Sequence, residues 1–274
     1  MSRSMARALN VLIDTMTAAQ SRSRRAMTLA RLIERLDIAS ATTIQTSRGP
    51  LTVLPQRGPH LAAAALDFDN EEPETLTWID AIQDGETLWD VGAATGLLSM
   101  YAALKPGVKI YAFEPKATSF GVLIEHLALN KMGDRVFPLC LAFSDETCLT
   151  HLSLTAMAAG TGGNSVAGQP NQFGEFKSVF SQGAPAYRID DFRAAFSLPA
   201  PDHLKIDVDG VEGAILRGAP ETLRLAKSVI IEVEGENAEQ ASDRIEAPLF
   251  AAGLVEDERV RTSGSRRNRL YRRP

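Results

Sequence analysis

The chain has 274 residues, 45% hydrophobic and 23% charged, with a net charge of −5. This is enough for one large globular domain with an appendage, and the composition excludes a disordered or fibrous chain. No apolar run approaches the roughly 18 residues of a membrane-spanning helix, and Cys140 and Cys148 form no disulfide framework, which suits a reducing cytoplasmic setting.

Residues 1–40 carry seven arginines against Asp14, Glu34 and Asp37. Residues 256–274 again carry seven, against Glu256, Asp257 and Glu258. Two basic ends therefore flank an acidic body. Docking of the ends on that body is one reading, and attraction to an anionic partner is the other. No aromatic residue interleaves the basic N-terminal segment, which argues against nucleic acid as that partner. Asp14 also interrupts the apolar stretch after Arg3 and Arg7, so no cleaved secretory signal is expected.

The first predicted elements are one or two helices over residues 5–36. Leu9, Leu12, Ile13 and Met16 share one face, and so do Leu29, Leu32, Ile33 and Leu36. An arm of this kind is a homo-oligomer contact or a cover. A hairpin follows, with strands over 43–46 and 51–54 around Arg48-Gly49-Pro50. Residues 1–60 are therefore expected to form an arm and hairpin, and 61–274 the main domain. A helix over 74–82 leads into alternating elements: strand 87–91, helix 97–104, strand 109–113, helix 117–130 and strand 136–142. Such alternation predicts a parallel sheet with crossover helices.

Chemistry concentrates after the first of these strands, at Asp90-Val91-Gly92-Ala93-Ala94-Thr95-Gly96. A glycine turn between strand and helix lets backbone approach a ligand closely. The next strand delivers Glu114-Pro115 at its carboxyl end, where an acid bonds the ribose of a nucleoside in an open parallel sheet. A dinucleotide site requires three glycines around a pyrophosphate, and only Gly92 and Gly96 are present. Asp90 would repel a pyrophosphate and attract an amino-acid ammonium. These features favour S-adenosylmethionine over a nicotinamide dinucleotide.

Residues 155–185 break the alternation and are rich in small polar residues, with Gly160, Gly162, Gly163 and Gly168 close together. A long loop here would be a lid or binding loop, with substrate contacts expected at Gly162-Gly163-Asn164-Ser165; simple disorder is the alternative. Regular structure resumes over 186–192. A strand from His203 then carries Lys205, Asp207 and Asp209 between Leu204, Ile206 and Val208. Charged side chains in a central strand need partners. Lys205 is expected to pair with Glu232 on strand 229–233, with Glu234 just beyond. Cys140, in strand 136–142, reads as a small core residue. Of the histidines, His203, His126 and His60 read as structural, and His151 as the one nearest the pocket.

Taken together, these segments resemble the FkbM family of S-adenosylmethionine-dependent methyltransferases. The motifs are Asp90-Val91-Gly92-Ala93 with Gly96, Phe113-Glu114-Pro115, Ala142-Phe143-Ser144-Asp145 and Ile189-Asp190-Asp191-Phe192. Leu204-Lys205-Ile206-Asp207-Val208-Asp209-Gly210-Val211-Glu212, Leu216-Arg217-Gly218-Ala219 and Ile231-Glu232 continue them. The match covers about residues 70 to 270. Ala94 stands where the family commonly has Asn, and Asp209 where it usually has Glu.

The resemblance implies an α/β class I methyltransferase fold, Rossmann-like, with a seven-stranded mostly parallel sheet flanked by helices and, outside the resemblance, the N-terminal helical extension. The last strand, 268–272, would be antiparallel. It implies that Glu114, with Pro115, binds the ribose, and that Gly92, Ala93 and Gly96, assisted by Asp90, hold the methionine part. Ala142, Phe143 and Asp145 would line the adenine, with Asp207 beside the sulfonium. For transfer to an oxygen of a small-molecule or glycan acceptor, Asp207 is the first candidate base and Glu212 the second, with Asn164 orienting the acceptor. No metal is expected, although Asp207, Asp209 and Glu212 are an alternative oxygen ligand set. A nucleotide-dependent oxidoreductase and a non-catalytic binding module are the competing functions.

Overall fold

A computed structural model describes residues 3–166, 178–233 and 242–274; Gly168 and Glu234, named above, lie outside them. The chain divides into two compact units, Met1–Ala41 and Thr42–Pro274. The first unit holds α1 (Arg3–Thr17) and α2 (Arg22–Ala39). Arg25 pairs with Asp14, and the Thr28 hydroxyl donates to Gln20 Oε1 at 3.0 Å, which fastens the two helices near their junction. Val11, Leu12, Met16, Met27, Ile33 and Leu36 are exposed.

The second unit opens with the expected hairpin, β1 (Thr42–Thr46) and β2 (Gly49–Val53), paired antiparallel. Its Ile44, Leu51 and Val53 pack in one core with Met100, Tyr101 and Leu123. The hairpin thus belongs to the larger unit by packing, whereas the sequence grouped it with the arm. A 3-10 turn (Pro55–Arg57) leads to α3 (Pro59–Leu66), α4 (Phe68–Glu71) and α5 (Pro73–Asp80). Pro59 at the first helical position and the alanines behind it favour α3.

Then follow β3 (Thr87–Val91), α6 (Leu97–Ala103), β4 (Lys109–Phe113), α7 (Ala117–Leu129) and β5 (Val136–Leu139). A second group is β6 (Ala142–Phe143), β7 (Cys148–Leu154), β8 (Ser165–Val166) and β9 (Phe180–Tyr187). The chain continues with α8 (Ile189–Phe196), β10 (His203–Ile206), α9 (Glu212–Arg217), α10 (Pro220–Leu225) and β11 (Ser228–Glu232). It closes with α11 (Ser242–Ala251), β12 (Val255–Glu256), α12 (Glu258–Arg261) and β13 (Asn268–Arg272).

The main sheet has seven strands in the order β12-β13-β11-β10-β3-β4-β5. Strands β11, β10, β3, β4 and β5 run parallel, and β13 is antiparallel to β11, as expected for residues 268–272. This is the class I methyltransferase architecture. Alternation along β3 sends Leu88 into the core beneath α5 and α6 and Trp89 into the core beneath α8 and α9. Strand order reverses between β3 and β10, so a ligand crevice is expected at their carboxyl ends.

The predicted strand 136–142 divides: β5 stays in the main sheet and β6 joins a second sheet, β6-β9-β7-β8. Residues 180–185 of β9 are therefore strand where a loop was expected, while 186 and 187 are regular as expected. Gly183 and Pro185 disguise it; Pro185 pairs with Leu149 of β7, while β6 reaches only Ala186 and Tyr187. The proline so occupies an edge stretch, where a missing N–H costs nothing. Cys140 corrects another expectation: it and Cys148 are exposed and free.

A polar chain locks the amino ends of the strands. Trp78 Nε1–H donates to Ser228 Oγ at 2.8 Å, which meets His203 Nδ1 at 2.7 Å, and His203 Nε2 meets Glu86 at 2.8 Å. Lys227 Nζ adds a contact to Glu86 at 2.7 Å. Burial would raise the Glu86 carboxyl, but Lys227, the Gln83 amide and His203 outweigh it and hold it down at about 2. Because the folded value is depressed, this stability exists above the unfolded pKa and is lost as pH falls toward 2. Glu86→Gln should therefore cost about 2 kcal/mol at pH 7. Urea titrations at pH 7 and pH 3 should show the gap to the parent shrinking with acid.

The C-terminal arginines are largely occupied within their own unit. Arg259 meets Asp257 at 2.8 Å, Arg261 meets Glu256 at 2.7 Å, and Arg269 meets Glu246 at 3.1 Å. Arg267 lies 3.7 Å from both Glu71 and Glu232. Among the described residues, no helix is long and apolar enough to cross a membrane.

Candidate active site

The glycine turn sits at the predicted crevice. Gly92 has φ +85°, and a Cβ there would lie 1.7 Å from the Asp207 carbonyl oxygen. Only glycine lets the end of β3 press against the end of β10. Gly96 has the same φ of +85°, and its Cβ would lie 2.2 Å from a Leu123 methyl. Gly96 lines neither cavity described below, and the close approach of Leu123 of α7 requires a glycine there. Ala94 holds a left-handed φ of 49°. Asn, the residue the family resemblance leads one to expect here, tolerates that conformation better. The Nδ1 of buried His126 meets the Thr95 carbonyl at 2.8 Å, and its Nε2 accepts the Leu54 N–H at 3.0 Å. This ties the turn to the hairpin exit.

A first cavity of about 190 Å³ lies on one side of the turn. Glu114 and Pro115 border it, with Phe113, Leu141, Ala142 and Phe143 as an apolar wall suited to an adenine. Glu114 is buried, and its two carboxylate oxygens accept the Ala94 and Lys116 N–H groups, each at 2.8 Å. Burial pushes its carboxyl up to about 8 against those two bonds. Each oxygen keeps a further lone pair for a ribose hydroxyl.

Asp145, expected beside the adenine, lines neither cavity. It pairs instead with Arg217 at 2.9 Å. Burial would raise its carboxyl, but the guanidinium holds it below the usual carboxylate range.

A second cavity of about 150 Å³ lies on the other side. Asp90, Ala93, Lys205 and Asp207 line it together with Leu61, Phe68 and Glu72 of the α3–α5 segment. Both cavities share Gly92, Ala94, Gly160 and Asp207. Lys205 Nζ is 2.8 Å from Asp207 Oδ2 and 3.8 Å from Asp90 Oδ1. The expected Glu232 is therefore not its principal partner. Parallel register sets Lys205 opposite Asp90 and Ile230, two residues short of Glu232, which lies beside Arg267. Burial opposes charge on both Lys205 and Asp207, yet each keeps the other ionised: the ammonium is raised and the carboxyl lowered.

Burial dominates at Asp90 and raises it. Its Oδ2 accepts the Ser99 hydroxyl at 2.5 Å, while Oδ1 is buried with no hydrogen-bond partner. A buried acceptor without a donor fits the ammonium of S-adenosylmethionine.

Glu212, the second candidate base, is fully buried and lines neither cavity. It accepts the Val208 and Gly210 N–H groups at 3.3 and 3.1 Å, closing the turn after Asp207. Asn164 borders the first cavity, but its amide donates to Thr161 O at 3.0 Å and its oxygen accepts the Thr155 N–H at 3.4 Å. It shapes the loop. No group of three or more His, Cys, Asp or Glu side chains among the described residues is arranged to hold a metal. His151 is exposed on β7, and His60 is the histidine at a cavity.

Lys116 was missed altogether. It is 2% exposed, and its Nζ donates to Ala158 O at 2.8 Å and Thr161 O at 3.2 Å. The Gly160 N–H donates to Ser119 Oγ at 3.1 Å. Together they pin the 158–161 loop, which borders both cavities through Gly160. Lys116→Met should release it and weaken S-adenosylhomocysteine binding about tenfold, as read by calorimetry. An unchanged affinity would remove this role.

A switch-point crevice, an acid at the end of β4 and an apolar adenine wall define an α/β protein that binds a nucleoside cofactor. The methyltransferase FkbM domain matches residues 90–259. Hexuronic acid methyltransferase AglP of Haloferax volcanii is 25% identical over 168 residues, 61% of this chain and 64% of that protein. The chain thus spans under two thirds of that relative. Aeropyrum pernix fibrillarin, solved with natively bound S-adenosylmethionine, aligns over 84% of this chain and 81% of its own, at 14% identity and TM-score 0.41. A SAM-dependent methyltransferase from Agrobacterium tumefaciens aligns over 85% and 69%, at 8% identity and TM-score 0.46. The chain belongs to the FkbM methyltransferase family, and S-adenosylmethionine is its cofactor. Membership selects this reading over the nicotinamide oxidoreductase.

Proposed function

We propose that the protein methylates an oxygen of a small hydroxylated metabolite or glycan, with Asp207 as the base. The observation that carries this is Asp207 itself, the one ionisable side chain bordering both cavities. When bound, the cofactor supplies a sulfonium methyl: the acceptor oxygen bonds to its carbon, the carbon–sulfur bond breaks, and that electron pair returns to sulfur. Glu114 would hold the ribose and Asp90 the ammonium, with Phe113 and Phe143 against the adenine. Asp207 would take the acceptor's proton as the new bond forms. Most of the rate gain would come from alignment and from water exclusion under the 158–164 loop. The hexuronic acid activity named for the Haloferax relative supports a sugar-like acceptor. Free exposed cysteines suit a cytoplasmic setting, and the exposed apolar residues of α1 and α2 suit a homo-oligomer contact.

Calorimetry with S-adenosylhomocysteine, and NAD as control, tests the cofactor half. Micromolar binding of the former alone is expected. Binding of neither would favour a non-catalytic module.

A further inference from the structure

We propose that the first turn of α3, together with the His60 side chain, holds the carboxylate of the cofactor's methionine part. This rests on the reading above in which Asp90 takes the ammonium of the same group.

Asp90 is 1% exposed, lines the second cavity and keeps an oxygen with no hydrogen-bond partner. An ammonium bound there has a carboxylate on the same carbon, and that carboxylate needs a donor along the same wall. Most of the wall repels it, because Glu71, Glu72, Asp90 and Asp207 all border the cavity. Lys205 lines it too, but is held by Asp207 at 2.8 Å and faces Asp90 at 3.8 Å. The glycine-turn amides are also taken. Gly92 and Ala93 donate to Phe113 O at 2.9 and 3.0 Å, and Ala94 donates to Glu114 at 2.8 Å. The first turn of α6 already faces an anion, since Ser99 donates to Asp90 Oδ2 at 2.5 Å.

The end of α3 differs. This eight-residue helix lines the cavity through His60 and Leu61 of its first turn. It has no acid in that turn and no side-chain cap. Its first N–H groups lack partners within the helix and carry the positive end of its dipole. The His60 ring adds an N–H donor beside them. Gly58, just before the helix, packs so closely that a Cβ there would lie 2.3 Å from Ala159 O. That contact fixes the α3 end against the loop bordering both cavities. Residues 59–66 precede the family-matched 90–259, so this donor set lies outside the matched domain.

Calorimetry can compare S-adenosylhomocysteine with its decarboxylated analogue, which keeps the adenosine, thioether and ammonium. The parent should favour S-adenosylhomocysteine about thirtyfold. His60→Ala should shrink that preference about tenfold, through weaker binding of S-adenosylhomocysteine alone. His60→Glu should invert it, because the introduced carboxylate repels one ligand and attracts the ammonium of the other.

A parent that binds both ligands equally overturns the proposal. So does a preference unchanged in His60→Ala, which would give the carboxylate to Thr95 and the first turn of α6. Equal weakening of both ligands would make His60 a structural residue and also overturns it. Should His60→Ala fail to fold, the same comparison in His60→Glu decides. Parent protein that binds methylthioadenosine, which lacks both charged groups, as tightly as the decarboxylated analogue defeats the ammonium reading of Asp90, a separate failure.

Discussion

Glu114→Gln is expected to weaken S-adenosylhomocysteine binding by about 30- to 100-fold, the cost of losing charge-assisted bonds to two hydroxyls. The isosteric change is severe for a second reason. Both Glu114 oxygens already accept a backbone N–H, from Ala94 and from Lys116. A glutamine amide, whichever way it is turned, points its NH₂ at one of those donors.

The pH dependence has a definite sign. In the free protein the Glu114 carboxyl is held at about 8, chiefly by burial, so it carries a proton at neutral pH. Ribose hydroxyls donate to the ionised form, so binding expels that proton. Affinity in the parent should climb as pH rises toward 8 and level off above it, while the glutamine variant stays flat over the same range. The same raised value means that Glu114 costs the free fold stability as pH rises from its unfolded value, near 4.5, to 8. A parent affinity independent of pH between 6 and 9 would show that the carboxylate is not the ribose ligand.

The residues on the sheet edge were legible because local signals mark them. Asp90, Gly92 and Glu114 each stand at the end of a short apolar run, followed by a turn and a helix, and the crevice follows from that order. Partners were harder to read. Glu212 and Asp145 looked like free carboxylates in a site, yet their donors are the Val208 and Gly210 amides and Arg217, groups that folding brings to them. Lys205 had to be paired, but strand register rather than sequence distance chose Asp207 and Asp90 over Glu232.

Lys116 carries no sequence signal, since a lysine at a helix start normally lies in water. Only its burial and its two carbonyl partners reveal the clamp. The wall around His60 and Phe68 was invisible for a related reason: α3 and α4 are eight and four residues long and too short for a hydrophobic period.

Asp207→Asn should lower kcat by about 100- to 10,000-fold, the range for loss of a general base, while S-adenosylhomocysteine affinity stays within a few-fold. The Lys205 ammonium overrides burial and keeps Asp207 below the usual carboxylate range, so it is ionised at neutral pH and ready to accept a proton. A carboxylate so stabilised is a weak base, which fits transfer in which the hydroxyl gives up its proton late, as the carbon–oxygen bond nears completion.

Lys205→Met separates this role from a structural one. Removing the cation from a buried pair costs about 3 kcal/mol, and it frees the Asp207 carboxyl to rise. The acid limb of the kcat–pH profile should then move to higher pH in Lys205→Met, in assays run well below its lowered melting temperature. A merely structural Asp207 would leave that limb where it is. If Asp207→Asn instead loses S-adenosylhomocysteine binding with kcat little changed at saturation, Asp207 is a cofactor ligand and the base lies elsewhere along the second cavity. Glu72 would then be the next carboxylate to replace: it lines that cavity, and burial raises its carboxyl above the ordinary value.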